Sequence, residues 1–518
     1  MSTDCNMYFR NNSELVEPMP NFSRKLFACL IVVMFFATVC ARFTFAQATA
    51  AKSPSITDRE IQAIENGLIT KVKIDGRDPK IYRLLDRMKF FNVPGVSIAV
   101  FNKGKIIWRK GYGLADVSQN KIVDPETKFQ AASISKAVTA FALLKLAEKR
   151  NLDLDRDVNE YLTGWKVPEN EFTATEKVTI RRLLNHTAGI SVSGFTGYKK
   201  SETIPSLLEI LDGKGNTPKI VVESVPGSKF SYSGGGYLIL QKLIEDISKK
   251  SFERFMKNEI LKPLKMDNSS FDQYLQKDRS LAYDNGGKEY EGGWLIMPEL
   301  APAGLWTTPS DLAKFCLAVQ NSYQGVKGAY LSQKLSEEML KPVNNWGLGL
   351  GIRGKGKSIY FFHGGRNAGF NNIILNLYNE GTGIVVMTNA DQGGTLRDEI
   401  IRAYSDYYDI RILPPPRIIQ ALALTKDQLA EYAGKYRWKE NYFLEASINE
   451  SNNLILRDMF DGKINVFVPV EKDSFVDVNT GEEAIFRRNT ETGQIIDIFY
   501  NKIDTFIRLS DQLNKLPE

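Results

Sequence analysis

The sequence predicts an α/β protein: an antiparallel sheet flanked by helices, with a helical subdomain inserted between its strands, followed by a small C-terminal antiparallel β module. Three observations predict it. Strand-like segments stand at both ends of a region of roughly 300 residues whose middle reads as helices and loops. A run of three prolines, Pro414 to Pro416, then interrupts the chain. Beyond it, short alternating strands follow one another between turn signals.

The elements follow in chain order. Residues 1 to 48 read as a secretory signal or an N-terminal membrane segment. Arg24 and Lys25 precede the charge-free run from Leu26 to Ala41, and Ala46, Ala48 and Ala50 offer small-residue cleavage sites. A run of this length is short for a spanning helix, which needs about 20 residues, so cleavage after Ala48 or Ala50 is the expectation. Arg42 within the cleavage region keeps an uncleaved anchor as the alternative, and translation starting at Met19 would give a compact signal. The expected location is therefore exported, periplasmic or secreted, with membrane association possible through an uncleaved N-terminal segment.

Residues 49 to 80 read as a polar extension. From Gly95, GVSIAVFNKGKIIWRKGYG reads as strand, Asn-Lys-Gly turn, strand. In FQAASISKAVTAFALLKLAEKR, Ile134, Val138, Phe141 and Leu144 recur at helical spacing with one buried face. Helices and loops occupy the middle of the domain. NNIILNLY from Asn371 and GIVVMTN from Gly383 are strands joined by Asn379-Glu380-Gly381, and LRDEIIRAYSDYY is a helix. The main domain is set at 81 to 412 and a stiff Pro-rich linker at 413 to 417. Residues 418 to 518 then form the β module, in which Thr425 and Gln428 make a capping box and FLEASI, LILRD, INVFVPV, AIFRR and IIDIFY are strands of a small antiparallel barrel.

Composition narrows the function classes. A hydrophobic fraction of 43% and a charged fraction of 25% over 518 residues describe a globular chain with full cores. The net charge of +6 is small for this length and forms no basic stripe with interleaved aromatics, so no nucleic-acid partner is expected. Cys5, Cys29 and Cys40 lie within the presumed signal, which leaves Cys316 as the single thiol of a mature chain without internal disulfides. Two distant histidines and no H-E-x-x-H give no metal set, and no Gly-rich phosphate loop follows a strand, so no metal and no cofactor are expected. G-x-S-x-G is absent, which disfavours a Ser-His-Asp hydrolase of the nucleophile-elbow kind.

The chemistry concentrates at Ser133 and Lys136. Residues three apart share a helix face, so Lys136 reaches the Ser133 hydroxyl while Ser135 points elsewhere. The first helical turn adds free N–H groups and a positive dipole end, which stabilise an oxyanion. A second Ser-x-x-Lys, Ser118 with Lys121, lies in a polar loop with no helix to align it. Tyr232 precedes a glycine run and a helix, where a phenol can shuttle a proton to the Ser-Lys pair. His363-Gly364-Gly365 lies at a strand edge whose glycines bare backbone N–H groups. His186 reads as structural, fixing a loop below the site, and Tyr237 as a core residue. Thr308, Pro309 and Asp311 mark a helix start.

Ser133-x-x-Lys136, Tyr232-Ser233-Gly234 and His363-Gly364-Gly365, in this order, resemble the three active-site elements of the penicillin-recognising serine hydrolases: S-x-x-K, Y-x-N and K-T-G or H-x-G. PGVSIAVFNKGK, LLNHTAGI, PAGLWTTPSDLAKF and LKPLKM are further similar stretches, and the likeness runs over roughly residues 80 to 410. It is strongest to the class C β-lactamase, D-aminopeptidase and esterase branch. The resemblance implies a β-lactamase/transpeptidase-like fold with a lipocalin-like C-terminal domain.

It also implies roles. Ser133 is the nucleophile of an acyl-enzyme, Lys136 and Tyr232 share the base role, and the N–H groups of Ser133 and Arg366 form the oxyanion hole. His363 replaces the K-T-G lysine, Gly365 completes the motif, and Gly234 stands where the family's asparagine holds the substrate amide. That departure favours esters over the amides, D-amino-acid peptides or β-lactams that are the other expected small-molecule substrates. The alternative is a non-enzymatic penicillin-binding-like sensor that kept the fold.

Overall fold

The computed structural model describes residues 55–274, 277–439, 442–459 and 462–509. The signal or anchor expected at residues 1 to 48 lies outside the described residues. Among those described, no helix is long and apolar enough to cross a membrane. Contacts divide the chain into Met1–Asp58 and Arg59–Glu518. Of the first unit only Ser55–Asp58 is described, where the Asp58 carboxylate accepts from the Ser55 N–H and hydroxyl at a helix start.

The stretch read as a polar extension folds instead. Helix α1 (Ile56–Asn66) buries Ile64, and Leu68 follows it into the same core, while the Trp108 indole donates to Glu60 at 2.8 Å. Its polar composition hid two apolar residues one turn apart, which suffice for one buried face. Strand β1 (Val72–Ile74) then pairs in parallel with β11 (Arg417–Ile419), directly after the prolines.

The central sheet is antiparallel and joins both ends of the domain. It contains β2 (Gly95–Asn102), β3 (Lys105–Asp116), β4 (Lys121–Ile122), β7 (Gly351–Arg353), β8 (Tyr360–Asn367), β9 (Phe370–Leu377) and β10 (Thr382–Thr388), in the order β4-β3-β2-β10-β9-β8-β7. Lys103 and Gly104 both take positive φ, 49° and 74°, which sets the tight turn between β2 and β3. The β2 and β10 strands are buried on both faces because helices cover both sides. One face carries α2 (Leu84–Phe90) and α7 (Gly393–Tyr407). The other carries α3 (Ile134–Arg150), α4 (Gly234–Ser248) and α6 (Pro309–Tyr323), around which the larger core forms. Thr308 caps α6 through the Asp311 N–H, with Pro309 at its first position.

A two-stranded ribbon, β5 (Phe129–Gln130) with β6 (Trp306–Thr307), leads into α3. After the linker, β12 to β19, spanning Gly434–Lys439 to Asp504–Arg508, close into a barrel around Tyr436, Phe467, Phe475 and Ile498. Three of its strands, Gly434–Lys439, Ser474–Asp477 and Asp504–Arg508, join the five read from the sequence. The barrel is bound to α2 and α7 by a buried fork: Arg87 donates to Glu399 at 2.8 and 2.6 Å and to Asn479 at 2.9 Å.

Candidate active site

Ser133 opens α3. The residue before it, Ala132, is held at φ +52°, a left-handed conformation costing a side-chain-bearing residue about 1–3 kcal/mol. The turn is tied down from several sides. The Ser135 hydroxyl donates to the Ala132 carbonyl at 2.6 Å and accepts from the Leu305 N–H at 3.0 Å. Asn372 holds the Gln130 carbonyl at 2.8 Å, and Asn367 donates to the Gln130 amide oxygen at 2.7 Å. These contacts fix Ser133 relative to β8 and β9. Ser135 is structural, as its position on the helix required.

Lys136 lies one turn below, 2% exposed, with Nζ 3.1 Å from the Ser133 hydroxyl and 3.0 Å from the Pro302 carbonyl. That carbonyl belongs to the short helix α5 (Leu300–Ala303). Nζ also sits 5.1 Å from the centre of the Tyr232 ring and 5.8 Å from that of Tyr237. Burial lowers its pKa from the ordinary lysine value to about 7. An amine with that pKa is substantially unprotonated at neutral pH and can take a proton from serine.

Tyr232 precedes Ser233, the N-cap of α4, whose hydroxyl accepts from the Gly236 N–H at 2.9 Å. The Tyr232 phenol is pushed up to about 12 by burial, although a hydrogen bond with Ser133 opposes the rise. It therefore remains a neutral donor. His186 braces this loop: its Nδ1 accepts from the Ser233 N–H at 3.1 Å and its ring lies 4.3 Å from that of Tyr232. An acceptor at Nδ1 places the proton of the neutral ring on Nε2. Burial depresses the His186 pKa well below the histidine range, so it is a positioning residue rather than a base.

His363 lies within β8, 2% exposed, its ring centre 6.3 Å from that of Tyr232 and 5.3 Å from that of Trp346. Nδ1 is 2.6 Å from the Gly364 carbonyl. Burial, reinforced by the nearby Lys136, lowers its pKa to about 3. A neutral ring stands where the resemblance places a lysine, so the site offers no fixed cation to a substrate carboxylate there.

Gly365 is required by close approach: a Cβ there would lie 2.1 Å from the Ala131 carbonyl oxygen. β8 can thus press against the chain two residues before Ser133. β7 pairs with β8 only across Tyr360–Phe362, leaving the edge from His363 onward without a strand partner. The two-residue turn Ala368–Gly369 closes on the pair Asn367–Phe370, which face each other. Alternation along the strand then turns the Arg366 N–H toward the unpaired edge.

Gly234 brings no donor into the site. Its N–H is spent on the carbonyls of Val192 and Ser193, at 2.9 and 3.2 Å. Moreover, a Cβ would lie 2.6 Å from the Phe195 ring, so an aromatic side chain fills the space that an asparagine would need.

Sequence reasoning missed three contributors. Trp346 contacts Tyr232, His186 and His363 from a loop, and its one signal was an aromatic beside Gly347 and Gly349. Phe195 is a loop residue with no periodic pattern around it. Glu299 is a fully buried carboxyl at the start of α5 whose two oxygens have no hydrogen-bond partner among the described residues, and burial raises its pKa to about 7.

Comparison with known proteins agrees with this architecture. Residues 86–408, more than half of the chain, match the family described as Beta-lactamase. Protein flp of Staphylococcus aureus (strain MRSA252) is 30% identical over 314 residues, covering 58% of this chain and 60% of that protein. The chain thus spans about three fifths of the length of the curated relatives it matches. Among solved structures, the octameric penicillin-binding protein homologue from Pyrococcus abyssi superposes with a TM-score of 0.56 at 23% identity, covering 82% of this chain and 98% of its own. The D-amino acid amidase from Ochrobactrum anthropi SV3 does so with a TM-score of 0.53 at 22% identity, covering 68% and 99%. These two share the fold, and the match over more than half of its length places the chain in the β-lactamase family.

Proposed function

We propose that the protein is an exported serine hydrolase that forms an acyl-enzyme on Ser133 and prefers esters to amides or β-lactams. The observation that carries the reading is the buried amine of Lys136, 3.1 Å from the serine hydroxyl with a pKa lowered to about 7. Neutral Lys136 takes the proton of Ser133 as its oxygen attacks the substrate carbonyl. The N–H groups of Ser133 and Arg366 receive the developing oxyanion. Tyr232 keeps its own proton at neutral pH and relays one to the leaving group while regaining another from Lys136. Water then releases the acyl group by the reverse traffic.

Two features support esters. Gly234 has no side chain and no spare N–H for a substrate amide, and Phe195 occupies the adjoining space. Neutral His363 removes the cation that a carboxylate-bearing substrate would use. Export is supported by the charge, apolar run and alanines of residues 24 to 50.

The test is hydrolysis of a short-chain p-nitrophenyl ester, a chromogenic cephalosporin and a D-alanyl p-nitroanilide by the protein and its Ser133→Ala variant. The latter two probes follow from the neighbouring penicillin-binding homologue and amidase. Serine-dependent turnover of the ester, with the other two slower, is the expected result. Faster turnover of the anilide or cephalosporin overturns the ester preference, and a single acylation without turnover identifies a binder.

A further inference from the structure

A cavity of about 560 Å³ lies between the mouth of the barrel and α7; Arg366 borders it, but Ser133, Lys136, Tyr232 and His363 do not line it. Its charged lining is balanced, with Lys71, Arg366, Arg402 and Lys463 against Asp391, Asp398, Asp458 and Glu482. The acidic side chains are supplied with donors. Asp391 accepts from the Tyr290 hydroxyl at 2.6 Å and the Gly369 N–H at 2.8 Å. Asp398 accepts from Arg397, Asp458 from Tyr442, and Glu482 from Tyr500 and Asn465.

Arg402 differs. It is 8% exposed, and among the described residues its guanidinium makes no hydrogen bond or ion pair; Nε is fully enclosed and without an acceptor. Asp398, Glu399 and Asp406 on the same helix offset its charge through space. Two of these are already engaged, Asp398 by Arg397 and Glu399 by Arg87. A guanidinium cannot shed its proton to escape burial, so its planar set of donors calls for an acceptor that none of the described residues provides. Opposite, the barrel contributes the buried apolar side chains Leu444, Leu456 and Phe506.

We propose that this cavity is a second ligand site, which takes a monocarboxylate with a short apolar tail: the carboxylate forks onto Arg402 and the tail enters the barrel mouth. The balanced lining has room for one added negative charge and opposes a dianion. The volume suits a small organic acid. The inference does not rest on the hydrolase reading, since neither the serine nor its base takes part.

The test uses the full chain carrying Ser133→Ala, titrated calorimetrically with hexanoate, and with hexan-1-ol and inorganic phosphate as separate probes. Hexanoate should saturate one site per chain, and the other two probes should not. Arg402→Gln should weaken hexanoate binding by more than about tenfold. Thr395→Trp, which fills the cavity from the partly exposed side of α7, should do the same and carries the test if the arginine variant does not fold. Unchanged binding in a folded variant overturns the proposal. So does the absence of saturable hexanoate binding at millimolar concentration, or phosphate binding as tightly as hexanoate.

Discussion

Lys136 in the serine cleft and Arg402 at the mouth of the barrel are both cations enclosed by protein, 2% and 8% exposed, yet they meet that enclosure differently. The lysine is relieved by losing its charge: burial brings its pKa to about 7 and leaves an amine lone pair beside a serine. The arginine keeps its charge and is left with donors that no described residue accepts. The same desolvation therefore leaves a neutral amine in one region and an unsatisfied guanidinium in the other. The identity of the side chain decides which.

The largest effect expected to break this comparison is that of Lys136→Met. Ester turnover should fall by about 10²–10⁴-fold, the loss of a positioned base. Thermal and denaturant stability should rise by about 2 kcal/mol at pH 7, because a side chain that resists protonation there is replaced by an apolar one of similar length. Loss of both activity and stability would mean that Lys136 is a paired structural cation instead.

The pH profile is the next test. The acylation rate should fall tenfold for each unit below about pH 7 and stay level above it, since only the neutral amine accepts the serine proton. His363, lowered to about 3, should add no second limb in that range. Stability follows the same sign. The folded pKa of Lys136 lies below its unfolded value of 10.5, so the unfolded chain binds more protons between about pH 7 and 10.5, and this residue's contribution to stability rises with pH across that window. A rate that declines on raising the pH from 6 to 8 would remove Lys136 from the role of base.

Glu299 sharpens the comparison with a buried acid. Its folded pKa of about 7 exceeds the ordinary carboxyl value of 4.5, so the folded state holds the proton more tightly. The contribution is whole below about pH 4.5 and lost as pH rises through 7. Glu299→Gln should therefore stabilise the protein by about 3 kcal/mol at pH 8 and by nothing at pH 4, read from denaturant midpoints. Equal effects at both pH values would indicate that an acceptor or donor for the carboxyl exists in solution.

Much of this was legible in the chain. The β2–β3 hairpin, the β9–β10 hairpin, α3 and α7 were set by apolar periodicity and by turn residues such as Lys103-Gly104, because those signals are local. Ser133, Lys136, Tyr232 and His363 were located by motif order, and the structure brings these four together around one cleft. What escaped depended on contacts between distant segments. The burial of Ile64 and Leu68 rests on a core built hundreds of residues later, and Trp346 and Phe195 reach the cleft from loops without a period. The isolation of Arg402 emerges only when α7 and the barrel are seen side by side, since the sequence shows three acids on the same helix but not which cation each one serves.

The smallest effect concerns the wall of the cleft. If the cavity at the barrel is polar and the cleft is closed by aromatics, then Gly234→Asn should not simply restore an amide contact. Its Cβ would meet the Phe195 ring at 2.6 Å, an overpacking that costs about 1–3 kcal/mol, measured by urea midpoint, with no gain on the D-alanyl anilide. Removing the obstacle in the double variant Gly234→Asn with Phe195→Ala should recover part of that loss and open space for the new amide. Turnover of the anilide relative to the ester should then rise by about tenfold, the worth of one oriented hydrogen bond to a substrate N–H. Were the single variant to keep its stability and gain the anilide activity, Phe195 would be a yielding side chain, and glycine alone would set the ester preference. Were neither variant to change the ratio, the preference would lie with the neutral His363 on the opposite wall.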